Sequence, residues 1–144
     1  MAISGDYVPS PSEWVRNQVE EIERTGTTGS VDIMDRPVVL LTMVGAKSGA
    51  VRKVPLMRVE HEGAYAAVAS QGGAPTHPQW FHNLQAQPDI DLQDGTETFA
   101  VHARVVEGQE RDEWWERCVA AYPPYADYQV KTDRQIPVFV LERR

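Results

Sequence analysis

A chain of 144 residues, 42% hydrophobic and 24% charged, is expected to form one domain around a single core without disulfide or metal staples. Its formal net charge of -7 excludes a coat for DNA or RNA, which takes a broad basic face, and its single cysteine, Cys118, excludes an internal disulfide. No run approaches the ~18 apolar residues of a membrane span, and the opening MAISGDYVPSPSEW lacks the basic region and apolar run of a signal peptide, so the expected location is the cytoplasm.

Residues 1–9 read as a loose lead-in. Ser10-Pro11-Ser12-Glu13 has the form of a capping box with proline at the first helical position. Trp14, Val15, Val19 and Ile22 follow at helical spacing, and Gly26 is a C-terminal stop, which predicts a surface helix over residues 11–25. Its polar face is acidic (Glu13, Glu20, Glu21, Glu23), and anionic lipid would repel it, so peripheral membrane contact ranks below simple packing. Residues 25–35 form a Gly/Thr/Ser loop, and residues 1–35 are together taken as an N-terminal helix and linker ahead of a main body at 36–144.

Strands are predicted at 37–44, 51–60 and 64–70, with His61-Glu62-Gly63 as a turn. Pro55 lacks a ladder donor, so its strand should lie at an edge or carry a bulge. A Gly-Gly loop at 71–76 leads to a short helix at 78–87 with Trp80, Phe81 and Leu84 inward. Strands at 89–93 and 96–106 are joined by Asp94-Gly95. A helix at 108–121 ends at Tyr122-Pro123-Pro124-Tyr125, a short helical piece runs to Thr132, and a last strand covers 136–142. About six antiparallel strands with flanking helices predict an α+β barrel, and the βαβ alternation of a dinucleotide fold is missing.

Residues 36–59 hold five cations (Arg36, Lys47, Arg52, Lys53, Arg58) and no carboxylate. Positive charge gathered on one hairpin of an acidic protein calls for an anion to neutralise it. The turn Gly45-Ala46-Lys47-Ser48-Gly49 fails as a P-loop: Leu40 stands where the leading glycine belongs, and a strand follows in place of a helix. Alone, the pentapeptide reads as a hairpin turn with a solvated lysine. Together with Arg52 across the turn, its amides, the Ser48 hydroxyl and Lys47 can converge on a phosphate.

Ser70-Gln71-Gly72-Gly73-Ala74-Pro75 admits two readings, an ordinary loop or a backbone approach to a flat ligand. Trp80 and Phe81 favour core over a stacking box. Tyr122, Tyr125 and Tyr128, three apart, share a helical face, either as packing or as a substrate wall with hydroxyls for proton donation. The histidines (His61, His77, His82, His102) lack metal-ligand spacing, and Cys118 beside Trp114 and Trp115 reads as a small core residue. With no acid, base or metal constellation of its own, an enzyme of this sequence would take its chemistry from a cofactor.

These segments resemble the deazaflavin (F420)-dependent nitroreductases, an actinobacterial family. The matching stretches are PVVLLT, the G-x-K-S-G turn with Arg52, VPLM, VAS-x-GGAP, HPQWFHNL, Trp114-Trp115, YPPYADYQ-x-K-TDR and IPVFVLE, which in order cover most of residues 36–142. The resemblance implies a split β-barrel and a reductase that passes a hydride from reduced coenzyme F420 to a quinone, nitroaromatic or similar acceptor. By position, Lys47, Ser48, Gly49 and Arg52 are implied as phosphate and tail contacts. Val54, Pro55, Leu56, Met57, Ser70, Gln71, Gly72, Gly73, Ala74, Trp80, Phe81, Asn83 and Leu84 are implied as the remaining cofactor wall. Tyr122, Tyr125 and Tyr128 are implied as the acceptor pocket, with Tyr125 and Ser70 nearest the reacting ring, and no metal is implied. Where the family has a basic residue before the turn lysine, this chain has Ala46. Two other readings share the fold, an FMN-binding flavoprotein and a non-catalytic F420 carrier.

Overall fold

A computed structural model describes residues 6–144; the first half of the expected lead-in lies outside them. One antiparallel sheet of seven strands, in the order β2-β1-β5-β6-β7-β4-β3, curls around an apolar interior. The strands are β1 (Val38–Val44), β2 (Val51–Met57), β3 (Glu60–His61), β4 (Ala64–Val68), β5 (Asp89–Asp94), β6 (Glu97–Val105) and β7 (Val138–Arg143). Four helices accompany them: α1 (Glu13–Thr25), α2 (Gln79–Ala86), α3 (Gly108–Ala121) and α4 (Pro124–Lys131). Among the described residues no helix is long and apolar enough to cross a membrane.

The expected count of about six strands becomes seven among the described residues because the run at 51–60 breaks at Arg58-Val59. Up to Met57 it pairs with β1; from Glu60 it pairs with β4, at the opposite edge of the sheet. Arg58 turns the corner, its N–H donating to Pro37 O and its Nε lying 3.0 Å from each oxygen of Asp94. The chain itself thus links the two edges of the curled sheet. Pro55 sits in unbroken register opposite Leu40, so its place is an edge strand without a bulge. That edge is partly covered: Tyr7 bridges Val51, and the Val51 amide donates to Asp6 O, so residues 6–8 are docked on β2 and are not a loose lead-in.

Period-two alternation divides the core. Val39, Leu41 and Met43 of β1, with Ile90, Leu92, Val101, Phe139 and Leu141, face the barrel interior, where α2 inserts Phe81 and Leu84. Val38 and Leu40 point the other way and meet Val19 and Ile22 of α1. Covered on both faces, β1 reads as a continuous apolar run. Ala66, Val68, Val138 and Val140 form the outer face against Trp114, Cys118, Tyr122 and Tyr125. Helix α1 starts two residues later than its proline suggested. Ser12, not Ser10, is the cap, its hydroxyl accepting from the Val15 amide, while Ser10 Oγ accepts from the Ser12 amide. At the other end the Gly26 amide donates to Ile22 O at 2.8 Å.

Candidate active site

Three adjoining concavities form one groove along β2. The first, of about 230 Å³, is walled by Gly45, Ala46, Lys47, Ser48, Arg52, Gln79 and Asn83. Arg52, Gln79 and Asn83 also wall the second, of about 330 Å³, together with Lys53, Val54, Trp80 and, around the start of α1, Pro11 and Val15. Trp80 in turn borders the third, of about 300 Å³, which Leu56, Ser70, Gly72 and the tyrosines Tyr122, Tyr125 and Tyr128 enclose. From Arg52 to Leu56 the strand advances about 13 Å. The groove therefore has a basic end, a middle of mixed lining and an aromatic end.

The basic end is smaller than the five cations suggested. Arg36 Nη1 donates to Ala121 O at 2.6 Å, Lys53 Nζ lies 2.6 Å from Glu23 Oε1, and Arg58 is bound to Asp94. Lys47 and Arg52 remain, without an ion-pair partner among the described residues. The turn that carries Lys47 is pinned from below. Asn83, buried on α2, accepts from the Ala46 amide at 2.9 Å and donates to Met43 Sδ at 3.7 Å. Ser48 Oγ accepts from the Ala50 amide, and Gly45 O from the Gly49 amide. The Lys47 and Ser48 amides make no hydrogen bond within the described residues. Two free amides, a hydroxyl that can still donate, and two cations form a site for a phosphate-like anion. Ala46, in place of a basic residue, uses its backbone to seat the turn.

The aromatic end contains no charged side chain. Tyr122 and Tyr125 are buried, with ring centroids 4.9 Å apart in an edge-to-face arrangement. Tyr122 and Tyr128 share a hydrogen bond, OH to OH, of 3.1 Å. That bond, with burial second, pushes Tyr128 up to about 12. Burial pushes Tyr125 higher still, so its hydroxyl keeps its proton throughout the neutral range. The Tyr125 and Ser70 hydroxyls make no hydrogen bond to the described residues, and both residues line this cavity.

Of the residues singled out from sequence, the structure brings most to the groove. Lys47, Ser48, Arg52, Val54, Pro55, Leu56, Met57, Ser70, Gln71, Gly72, Trp80, Asn83 and all three tyrosines wall one part of it or another. Five do not. Gly49 serves the turn, at φ 72°, without facing the groove. Gly73 is pressed under α4, where a Cβ would lie 2.8 Å from Tyr128 O, so its lack of a side chain serves packing and not a ligand. Ala74 offers its carbonyl to Arg134. Phe81 and Leu84 point into the barrel, Phe81 stacked on His77 at 4.1 Å and packed on Phe139.

Trp14, Ile33 and Gln79, which sequence reasoning did not assign to a site, also line the groove, as does Pro78 at the start of α2. Trp14 was assigned to the buried stripe of α1 but is 52% exposed at the rim of the aromatic cavity. Val15, Val19 and Ile22 already complete an i, i+4, i+7 stripe, which leaves Trp14 a step outside it. Among the described residues, no three His, Cys, Asp or Glu side chains cluster to hold a metal ion.

A family model described as F420H(2)-dependent quinone reductase matches residues 14–143. An F420H(2)-dependent quinone reductase of Mycobacterium tuberculosis is 39% identical over 111 residues, which span 75% of this chain and 74% of that protein. A solved structure of an F420-H2 dependent reductase is 57% identical, with a TM-score of 0.71 over 78% of this chain and 99% of its own. Another, described as a domain-swapped dimer, is 56% identical, with a TM-score of 0.73 over 92% of this chain and 100% of its own.

Proposed function

Because this chain belongs to the F420H(2)-dependent quinone reductase family, we propose that its groove binds reduced coenzyme F420 and that a quinone accepts the hydride in the aromatic cavity. The observation that carries this reading is the succession of cavities along β2, in which a pocket with two unpaired cations is followed, across Val54 and Trp80, by a cavity that no charged side chain of the described residues lines. A deazaflavin cofactor has the same polarity along its length, with a phosphate-bearing tail and a flat, weakly polar ring. When bound, it supplies the hydride.

Lys47, Ser48 and Arg52 would hold the phosphate, and Gln79 and Asn83 the stretch beyond it. Val54, Pro55, Leu56, Met57, Trp80 and the loop at residues 70–72 would wall the ring. Tyr122, Tyr125 and Tyr128 would bound the acceptor, with Ser70 and Tyr125 offering hydroxyls to the oxygen that gains charge. The neutral lining suits a flat, uncharged, electron-poor acceptor. Nitroaromatic compounds share those properties and are proposed as further acceptors. The lone, buried thiol of Cys118 agrees with a reducing compartment, and we place the reaction in the cytoplasm.

The test is a fluorescence titration with F420 beside FMN, followed by anaerobic mixing of the F420H2 complex with menadione. F420-selective binding with menadione-dependent reoxidation is the expected result. Preference for FMN would overturn the cofactor assignment. Tight F420 binding with no reoxidation by quinones or nitro compounds would make the protein a carrier.

A further inference from the structure

Arg134 stands outside the groove, yet its guanidinium is committed to one loop of the wall. Nε donates to Ala74 O at 2.9 Å, Nη2 to Ser70 O at 2.8 Å, and Nη1 to Ala69 O at 3.1 Å. Nη1 also lies 2.9 Å from His77 Nδ1, which accepts because an arginine can only donate. No carboxylate lies within ion-pair distance of Arg134 among the described residues. A guanidinium that forgoes an ion pair for three carbonyls and a ring nitrogen is shaping the backbone that it touches.

That backbone needs shaping. Gln71, Gly72 and Gly73 follow one another at φ 46°, 65° and 83°, and Gln71, with its Cβ, resists this conformation. Two hydrogen bonds within the loop, Gly73 amide to Ser70 O and Ala74 amide to Gln71 O, close it only locally. On one side α4 grips it: Lys131 Nζ donates to Gly72 O at 3.3 Å, and Gly73 lies against Tyr128. On the other side stands Arg134, itself fixed by Gln129, which donates to Arg134 O and accepts from the Ile136 amide. The face left over presents Ser70, Gln71 and Gly72 to the aromatic cavity.

We propose that Arg134 is a positioning residue for hydride transfer: by clamping Ala69, Ser70, Ala74 and His77 it sets the Ser70 side of the acceptor cavity against the tyrosines of α4. This rests on the reductase reading above. The clamp reaches only the aromatic end, since none of its bonds is to Lys47, Arg52 or Asn83. Loss of Arg134 therefore lowers turnover more than cofactor affinity, because the phosphate contacts are left in place.

The test uses the full chain with Arg134→Lys and Arg134→Ala. Hydrogen exchange on the cofactor-free protein is the first readout. Faster exchange at Gly73 and Ala74, with β7 amides unchanged, is expected from a local opening. F420 affinity by titration should fall by less than about tenfold while kcat/KM with menadione falls by about a hundredfold. Millimolar guanidinium should restore part of that loss to Arg134→Ala. Unchanged loop exchange, exchange that rises equally in β7, an equal loss of F420 affinity, or wild-type turnover would each overturn the proposal. If Arg134→Ala does not fold, the same criteria apply to Arg134→Lys. A wild-type protein that neither binds F420 nor turns over would defeat the reductase reading, while loop exchange would still judge the clamp.

Discussion

Arg52 and Lys53 are adjacent cations whose roles the structure separates, and substituting each in turn tests the anion end of the groove. Arg52 lines both the phosphate pocket and the middle cavity and has no carboxylate partner among the described residues. Lys53 also borders the middle cavity, but its ammonium is engaged by Glu23, 2.6 Å away, and lies over the Tyr7 ring, 5.2 Å from its centroid. A charge-assisted hydrogen bond to a phosphate contributes about 1.5–3 kcal/mol. Arg52→Met should therefore weaken F420 binding by roughly 10- to 150-fold. Lys53→Met removes an exposed ion pair, which contributes about 0–1 kcal/mol, and should change F420 affinity by no more than about fivefold. Fluorescence titration of F420 at fixed ionic strength measures both, and the Arg52 effect should shrink as salt is raised. Equal losses in the two variants, or wild-type affinity in Arg52→Met, would refute the assignment of the anion site.

Tyr125→Phe keeps the ring and its contacts but removes the proton donor. F420 affinity should hold while kcat with menadione drops by roughly tenfold or more, toward the range of general-acid catalysis. Gly73→Ala forces a Cβ against Tyr128 O at φ 83° and should cost about 1–3 kcal/mol, a fall in Tm of roughly 3–10 °C by scanning fluorimetry. Gly72→Ala, at φ 65° but facing open space, should cost only about 1 kcal/mol. At Asp94, burial opposes the charge, but hydrogen bonds from Arg58 and Tyr65 outweigh it and hold the carboxyl below its usual value. Because the folded pKa is the lower one, the bond's contribution is present above about pH 4 and is lost as the pH falls through the folded value. Asp94→Asn should lower Tm at pH 7 by the equivalent of about 1–2 kcal/mol, after allowance for the part-exposed Arg58, and flatten the acid limb of Tm against pH.

What was legible in the sequence is what local chemistry decides. Alternation and the Gly-flanked turn placed β1 and the start of β2 almost to the residue, and the stop at Gly26 placed the end of α1. What was not legible depends on partners far along the chain. The run at 51–60 keeps its apolar pattern through Arg58-Val59, so nothing local announces that β2 and β3 pair with opposite edges of the sheet. Gly72 and Gly73 are chemically identical neighbours, and only the backbone of α4 makes one a cavity wall and the other a packing surface. Arg134 bonds to groups 57 to 65 residues away, a relation that no spacing rule contains.

The charge cluster at residues 36–59 is the instructive middle case. Five cations without a carboxylate suggested one anion, yet three are satisfied by Ala121 O, Glu23 and Asp94. Strand parity puts Arg52, Val54 and Leu56 on one face of β2 and Lys53 on the other, but parity alone does not decide the matter, since Lys53 still borders the middle cavity. The rest needed the fold, because the carboxylates that answer Lys53 and Arg58 come from α1 and β5. A local excess of charge marks an anion site only after the distant counter-charges are subtracted. Here the subtraction leaves Lys47 in the turn and Arg52 at the start of β2, together with the free amides of Lys47 and Ser48.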